Sequence, residues 1–299
     1  AWRRSCRRPG PVCASVCREA AQLRNASDAD KRAWMMQRLQ PYRVQSHAGD
    51  SNGLLTSYYE PVMQASRSPN AQYRYPLYGV PASGAPRSAW FTRQQIESNP
   101  AAQSALRDRE LVYMADPSDA MILHIQGSGR MQVREANGEM RTVRLAYAGN
   151  NQHPFRSPSA YISAQGGRSG NWDAVRTWSA QNPSQTQAML WSNPRYVFFR
   201  EEAINANDTD AGPTGAAGVP LTPGRSIAVD PGSIPYGTPV WISTRGAVAS
   251  INRMVVAQDT GNAIRGAVRA DYFAGWSQQA ADLAHAMKQP LQMWVLWPK

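Results

Sequence analysis

From residue 53 onward the chain is cut into short runs of strand-forming residues, each closed by a turn signal, and this pattern points to a mainly β fold. Residues 54–63 are rich in strand formers and end at a proline, and 72–79 alternate. Further strands are predicted at 111–114, 120–126, 130–134 and 141–147, with Asn137-Gly138 as a hairpin turn between the last two. Others follow at 195–200, 226–229, 238–243, 253–258 and 291–297. The last is apolar and suits a buried member of a β-barrel. Helices are predicted only at the periphery. One begins at Ser27, an N-cap with Asp30 at the third position, and carries the stripe Ala29, Ala33, Met36 and Leu39. A short one covers 92–98 with Thr92 as cap, two cover 171–192 with a break at Asn182-Pro183, and one covers 276–287. Residues 203–225 are rich in Gly, Ala and Pro without periodicity and read as a linker or mobile loop.

A length of 299 residues fits about two domains, or one large one. The 42% hydrophobic content is enough for a sizeable core, yet no run approaches the roughly 18 to 20 apolar residues that span a bilayer. The sequence begins Ala1-Trp-Arg-Arg-Ser-Cys6 with no signal peptide, so any targeting segment is expected to be removed or to lie outside it. The net charge of +11 is either a solvated surface or the footprint of an anionic polymer. No five basic residues run together and no nucleic-acid motif occurs, which argues against nucleic acid. Peptidoglycan, whose stem peptides carry carboxylates, is another candidate. Cys6, Cys13 and Cys17 are the only cysteines. With no histidine nearby, they suggest a local disulfide and an oxidising compartment such as a periplasm rather than zinc.

Three aspartates are the candidate chemistry. Asp230 ends an apolar run before Pro-Gly and reads mainly as a turn cap. Asp259 closes another run before Thr260-Gly261. Asp271 lies between alanine and Tyr272-Phe273 with no turn residue beside it, so capping explains it least. Apolar surroundings raise a carboxyl pKa, and one such acid can protonate a glycosidic oxygen. Asp259-Thr-Gly261 also spells the aspartic-protease triplet, but that chemistry needs two triplets and the chain has one. Gln126-Gly-Ser-Gly129 follows a predicted strand and lacks the Gly-Lys-Ser/Thr ending of a phosphate loop. It reads as a hairpin corner that would bring backbone amides and polar side chains near a ligand. His124 reads as a core or edge residue, and Trp178, Trp294 and Trp297 as core. Tyr58 and Tyr59 point to opposite faces of one strand, so at most one faces a groove.

Five motifs then occur in order: Thr56-Ser-Tyr-Tyr-Glu-Pro61, His124-Ile-Gln-Gly-Ser-Gly129, Leu145-Ala-Tyr-Ala-Gly149, Asn193-Pro-Arg-Tyr-Val-Phe-Phe199 and Ala257-Gln-Asp-Thr-Gly-Asn-Ala-Ile-Arg-Gly-Ala-Val-Arg-Ala-Asp-Tyr-Phe273. From about residue 30 to 297 the chain resembles the membrane-bound lytic murein transglycosylase A family, whose C-terminal part is a three-aspartate "3D" segment. The resemblance implies a double-psi β-barrel built from 1–62 and 202–299, a second β-rich domain inserted at 63–201, and a glycan groove between them. It implies Asp271 as the single catalytic acid and Asp259 as its supporting carboxylate. The implied substrate-binding residues are Tyr58, Tyr59, Glu60, Gln126, Gly127, Ser128, Tyr147, Asp230, Thr260, Gly261 and Arg265. The implied reaction cuts the MurNAc–GlcNAc bond without water, metal or cofactor. Glycan strands are the expected partner, with other cell-wall enzymes as candidates, at the periplasmic face of the outer membrane. A hydrolytic glycosidase and a non-catalytic glycan-binding module are the rival readings. Ala274 and Ser57 depart from the usual pattern, and the lipid-bearing N-terminal cysteine that would supply the only membrane attachment is not recognisable. Cys6, followed by Arg-Arg, is therefore expected to pair with Cys17 and leave Cys13 free.

Overall fold

The computed structural model describes residues 1–10, 12–168, 172–204, 211–261 and 263–299. Its strands are β1 (Leu39–Arg43), β2 (Gly53–Tyr59), β3 (Val62–Ser66), β4 (Tyr75–Tyr78), β5 (Glu110–Met114), β6 (Ser128–Arg134), β7 (Met140–Asn150), β8 (Val197–Ala203), β9 (Ser226–Val229), β10 (Pro239–Arg245), β11 (Ser250–Asp259), β12 (Arg269–Gly275) and β13 (Lys288–Pro298). The chain divides into two units, Ala1–Tyr59 with Asn207–Lys299, and Glu60–Ala206.

In the first unit the strands run β13-β10-β11-β9-β12-β2, and β2 pairs back onto β13. That return pairing closes a six-stranded barrel, and closure removes the exposed edges of an open sheet. β9 is parallel to β11 and β2 is parallel to β12; the other barrel pairs are antiparallel. Leu55, Ile227, Val229, Val255, Ala257, Ala270, Tyr272 and Met293 fill the interior. Because side chains alternate, Thr56, Tyr58, Ala228 and Asp271 point the other way, to the outer face. An N-terminal arm packs Trp2, Cys13, Val16 and Ala20 against Leu39 and Val256. Its third helix, Asp28–Arg38, starts at the Ser27–Asp30 capping box predicted for it. Gln258, fully buried, ties the arm to the barrel: it accepts from Ser226 Oγ at 2.5 Å and donates to Ser5 Oγ at 2.6 Å.

Cys6 and Cys17 are joined by a disulfide, and Cys13 is free and buried. Burial pushes the Cys13 thiol up to about 11, so it stays protonated and unreactive near neutral pH. Thiol titration of the denatured, unreduced protein is expected to find one thiol per chain; three would refute the bridge.

In the second unit the sheet order is β4-β5-β3-β6-β7-β8, and a bridge from Gly79 to Phe199 links its two edges. Met63, Leu77, Val112, Ile122, Met131, Val143, Leu145 and Phe199 form its core. Here one predicted strand is a helix. Residues 120–126 belong to Pro117–Gln126, which has Pro117 in its first turn, Asp116 as N-cap accepting from Ser118 N at 2.7 Å, and Gly127 in the left-handed conformation as C-cap. The helix is buried almost all round, so its sequence shows an apolar run with no 3.6-residue stripe, a pattern periodicity cannot separate from a buried strand. Gln126-Gly-Ser-Gly129 is thus a helix-to-strand corner, not a hairpin corner. The corner is tight at Gly129, where a Cβ would lie 2.4 Å from Leu123 Cδ1 and 3.2 Å from Pro61 O.

Other readings are also adjusted. The strand β12 went unpredicted, since Arg-Ala-Asp-Tyr-Phe shows no clean alternation. Of the predicted loop 203–225, residues 205–210 lie outside the described residues, but 211–225 are tied down. Gly212 N donates to Leu221 O, Leu221 N donates to Pro213 O, and Ala216 N donates to Asp259. The two helices predicted for 171–192 are Trp172–Gln181 and Pro183–Trp191; residue 171 lies outside the described residues. Trp178 is core, whereas Trp294 and Trp297 are only partly buried, flanked by Arg43 and Tyr42.

Candidate active site

The barrel's strand pairing sets the two carboxylates side by side. Asp271 on β12 and Asp259 at the end of β11 both have Ala228 of β9 as their Cα partner. A register shift between Ala257 and Asp259 achieves this, a bulge that re-aims the last residue of the strand. Two strand spacings therefore separate them, on the order of 10 Å between backbones.

Each carboxyl has its own support. Thr56 Oγ1 donates to Asp271 Oδ1 at 2.5 Å, and Arg269 Nη2 donates to the same Thr56 oxygen at 2.9 Å. Thr56 is the register partner of Asp271 on β2, so the parallel β2–β12 pairing builds this contact. Tyr58, two residues along the same face, donates its hydroxyl to Asp259 Oδ2 at 2.8 Å, while Ala216 N donates to Oδ1 at 3.0 Å. The Tyr58 ring packs on Phe273 with centroids 5.3 Å apart.

Burial raises both carboxyls above the usual aspartate value. For Asp271, Thr56 and Arg269 pull the other way, and the neighbouring Asp259 charge adds to the rise. Burial likewise raises the Tyr58 phenol well above normal, so it stays a donor. Asp271 is thus a half-buried carboxyl whose pKa is raised by burial, with one oxygen fixed by Thr56.

Asp230 is different. Its Oδ1 accepts from Gly232 N at 3.1 Å and its Oδ2 from Gly266 N at 2.8 Å, and these bonds lower its pKa. It locks two turns, as a strand-ending Asp before Pro-Gly should. Thr260 Oγ1 donates to Val229 O at 2.9 Å, and Gly261 opens a turn closed by Ile264 N. Arg265 lies in the turn that Asp230 holds through Gly266. Tyr59 faces away from Tyr58 and meets His285 edge-on at 5.6 Å.

The remaining candidates lie in the second unit. Glu60 is 1% exposed, and both its oxygens are taken: Arg130 Nε donates at 2.9 Å and Arg144 Nε at 2.5 Å. Those arginines face each other as the Arg130–Arg144 pair of β6 and β7. Glu60 is therefore a buried counter-ion that holds two strands. Gln126 ends its helix, Gly127 caps it, and Ser128 opens β6. Tyr147 is 44% exposed, and its hydroxyl accepts from Asn150 Nδ2 at 2.5 Å. His124 is core as read: Arg93 Nη2 lies 2.6 Å from its Nδ1, and burial holds it neutral.

Sequence reasoning missed Thr56 and Arg269 as site residues. Both sit inside the quoted motifs, but a threonine and an arginine on strands carry no signal until the β2–β12 register is known.

Residues 54–200 match the MltA specific insert domain and 225–297 match the 3D domain. A lytic transglycosylase structure from Burkholderia pseudomallei is 38% identical, with all of this chain and 88% of that one covered and a TM-score of 0.66. The chain belongs to the membrane-bound lytic murein transglycosylase A family. Within it, the MltA structure from Neisseria gonorrhoeae is 28% identical, with 99% of this chain and 86% of that one covered, at a TM-score of 0.84. Membrane-bound lytic murein transglycosylase A of Vibrio cholerae is 29% identical over 74% of this chain, and the match spans 60% of that relative's length. No helix among the described residues is long and apolar enough to cross a membrane.

Proposed function

We propose that the chain is a peptidoglycan lytic transglycosylase, with Asp271 acting first as acid and then as base. The observation that carries this is one carboxyl, raised by burial and fixed by Thr56, at the outer face of a family-typical barrel. Asp271 donates its proton to the oxygen bridging MurNAc C1 to GlcNAc C4, and the C1–O bond breaks. Positive charge develops at C1. Asp271, now a carboxylate, takes the proton from the MurNAc C6 hydroxyl, and O6 closes on C1 as a 1,6-anhydro sugar. The nucleophile belongs to the substrate, so no enzyme carboxylate has to attack C1. Asp259, held by Tyr58 and Ala216 N, supports the charge at C1 without moving a proton. Gln126, Ser128 and Tyr147 are proposed sugar contacts of the second unit. The disulfide and the membrane-bound naming of the Vibrio relative support a place at the periplasmic face of the outer membrane.

Purified sacculi are expected to clear and release soluble muropeptides on incubation with the protein. Binding without clearing would favour a glycan-binding module instead. The pH profile carries a further sign. The acid must be protonated, so activity falls as pH rises through the raised Asp271 pKa. Thr56→Val removes a bond that favours the carboxylate, raises that pKa further, and should move the alkaline limb of kcat/KM to higher pH. A limb that stays or moves down would separate Thr56 from the acid.

A further inference from the structure

An open basin of about 760 Å³ lies in the first unit beside the strand that carries Asp271. Its wall includes Asp50, Asn52 and Leu54, the segment leading into β12, and the start of β13. Three cations reach it, Arg265, Arg269 and Lys288, against the single carboxylate of Asp50. Asp50 is engaged in its own turn, where its Oδ1 accepts from Asn52 N at 2.9 Å and Asn52 Nδ2 at 3.3 Å. Arg265 and Lys288 form no ion pair among the described residues, although the Asp230 carboxylate lies within electrostatic reach of Arg265. A concave, net-positive surface of this kind concentrates anions.

The basin also shares a wall with the candidate acid. Arg269 donates to the Leu54 and Ala270 carbonyls and to Thr56 Oγ1, the same oxygen that holds Asp271. Lys288 is the register partner of Thr56 from the other side, where β13 meets β2. Arg269 thus lines the basin and, through Thr56 Oγ1, adjoins Asp271.

We infer that this basin binds a carboxylate carried by the glycan strand, and so selects carboxylate-bearing strands over plain chitooligosaccharide. This rests on the glycan-cleaving reading above. The ligand chemistry has two sources in peptidoglycan, the lactyl carboxylate of a peptide-free MurNAc and the carboxylates of a stem peptide. Arginine and lysine pair with either, and Arg265 can do so bidentately.

The test compares binding of three ligands at low salt in an Asp271→Asn background, which prevents turnover. They are chitohexaose, denuded glycan strands with free lactyl groups, and strands that keep their stem peptides. Arg265→Gln with Lys288→Gln is expected to weaken one or both carboxylate-bearing ligands by about three- to tenfold, as loss of two exposed charge pairs should, and chitohexaose by much less. The arm that loses affinity identifies the carboxylate. Equal losses for all three ligands, or none, would overturn the basin assignment alone. If the parental protein bound none of the three, the glycan-cleaving reading would fall and the basin with it.

Discussion

Asp271→Ala is expected to lower peptidoglycan cleavage by roughly 10²- to 10⁴-fold, the usual worth of a positioned general acid–base. The loss should reach the upper part of that range, because one residue performs both proton transfers. Folding should survive: Asp271 is half-buried on the outer face of β12, and the interior positions beside it are Ala270 and Tyr272. Glycan binding should survive for the same reason. Asp259→Asn keeps an acceptor oxygen for Ala216 N and gives up the one that accepts from the Tyr58 hydroxyl, but it leaves the proton-transferring acid in place, so it should cost less than Asp271→Asn. Cleavage above a tenth of wild type in Asp271→Ala would remove the acid from this site, and the reverse ranking of the two Asn variants would exchange their roles.

Glu60→Ala should destabilise the second unit by about 3 to 5 kcal/mol, the usual cost of breaking a buried ion pair, because it removes the carboxylate that both arginines engage. Arg130 and Arg144 side chains are 12% and 7% exposed, so bulk water has little access to them in the intact protein. The measurement is the denaturant midpoint, with the Asp271 variant as reference. A Glu60→Ala protein of wild-type stability but weakened glycan affinity would return Glu60 to the substrate-contact role that its motif suggested.

Glu60 shows where sequence reading stops. The motif Thr56-Ser-Tyr-Tyr-Glu-Pro61 drew attention to the right stretch, yet its glutamate faces two arginines and its threonine holds the acid. Which role falls to which residue depends on strand partners more than two hundred residues away in sequence, as with Thr56 and Asp271. The β character of the chain was legible, because strand formers and turn residues act locally. Short elements with local caps were legible too: Ser27 and Thr92 both form capping boxes at the predicted places. The helix Pro117–Gln126 was misread because its burial on all sides erased the stripe. Its N-terminal signal, Asp116-Pro117, was present and would have decided the matter. The strand β12 was missed for a similar reason. Its outer face carries Asp271, and Phe273 on that face is buried, which breaks the in–out alternation.

The central claim is that one aspartate cleaves the strand with the substrate's own hydroxyl as nucleophile. Digestion of peptidoglycan in heavy-oxygen water, followed by mass spectrometry of the released muropeptides, tests it most directly. The predicted products end in 1,6-anhydroMurNAc, one water lighter than a reducing end and free of the heavy oxygen. Reducing ends labelled with heavy oxygen would show that water is the nucleophile, and would make the protein a hydrolase.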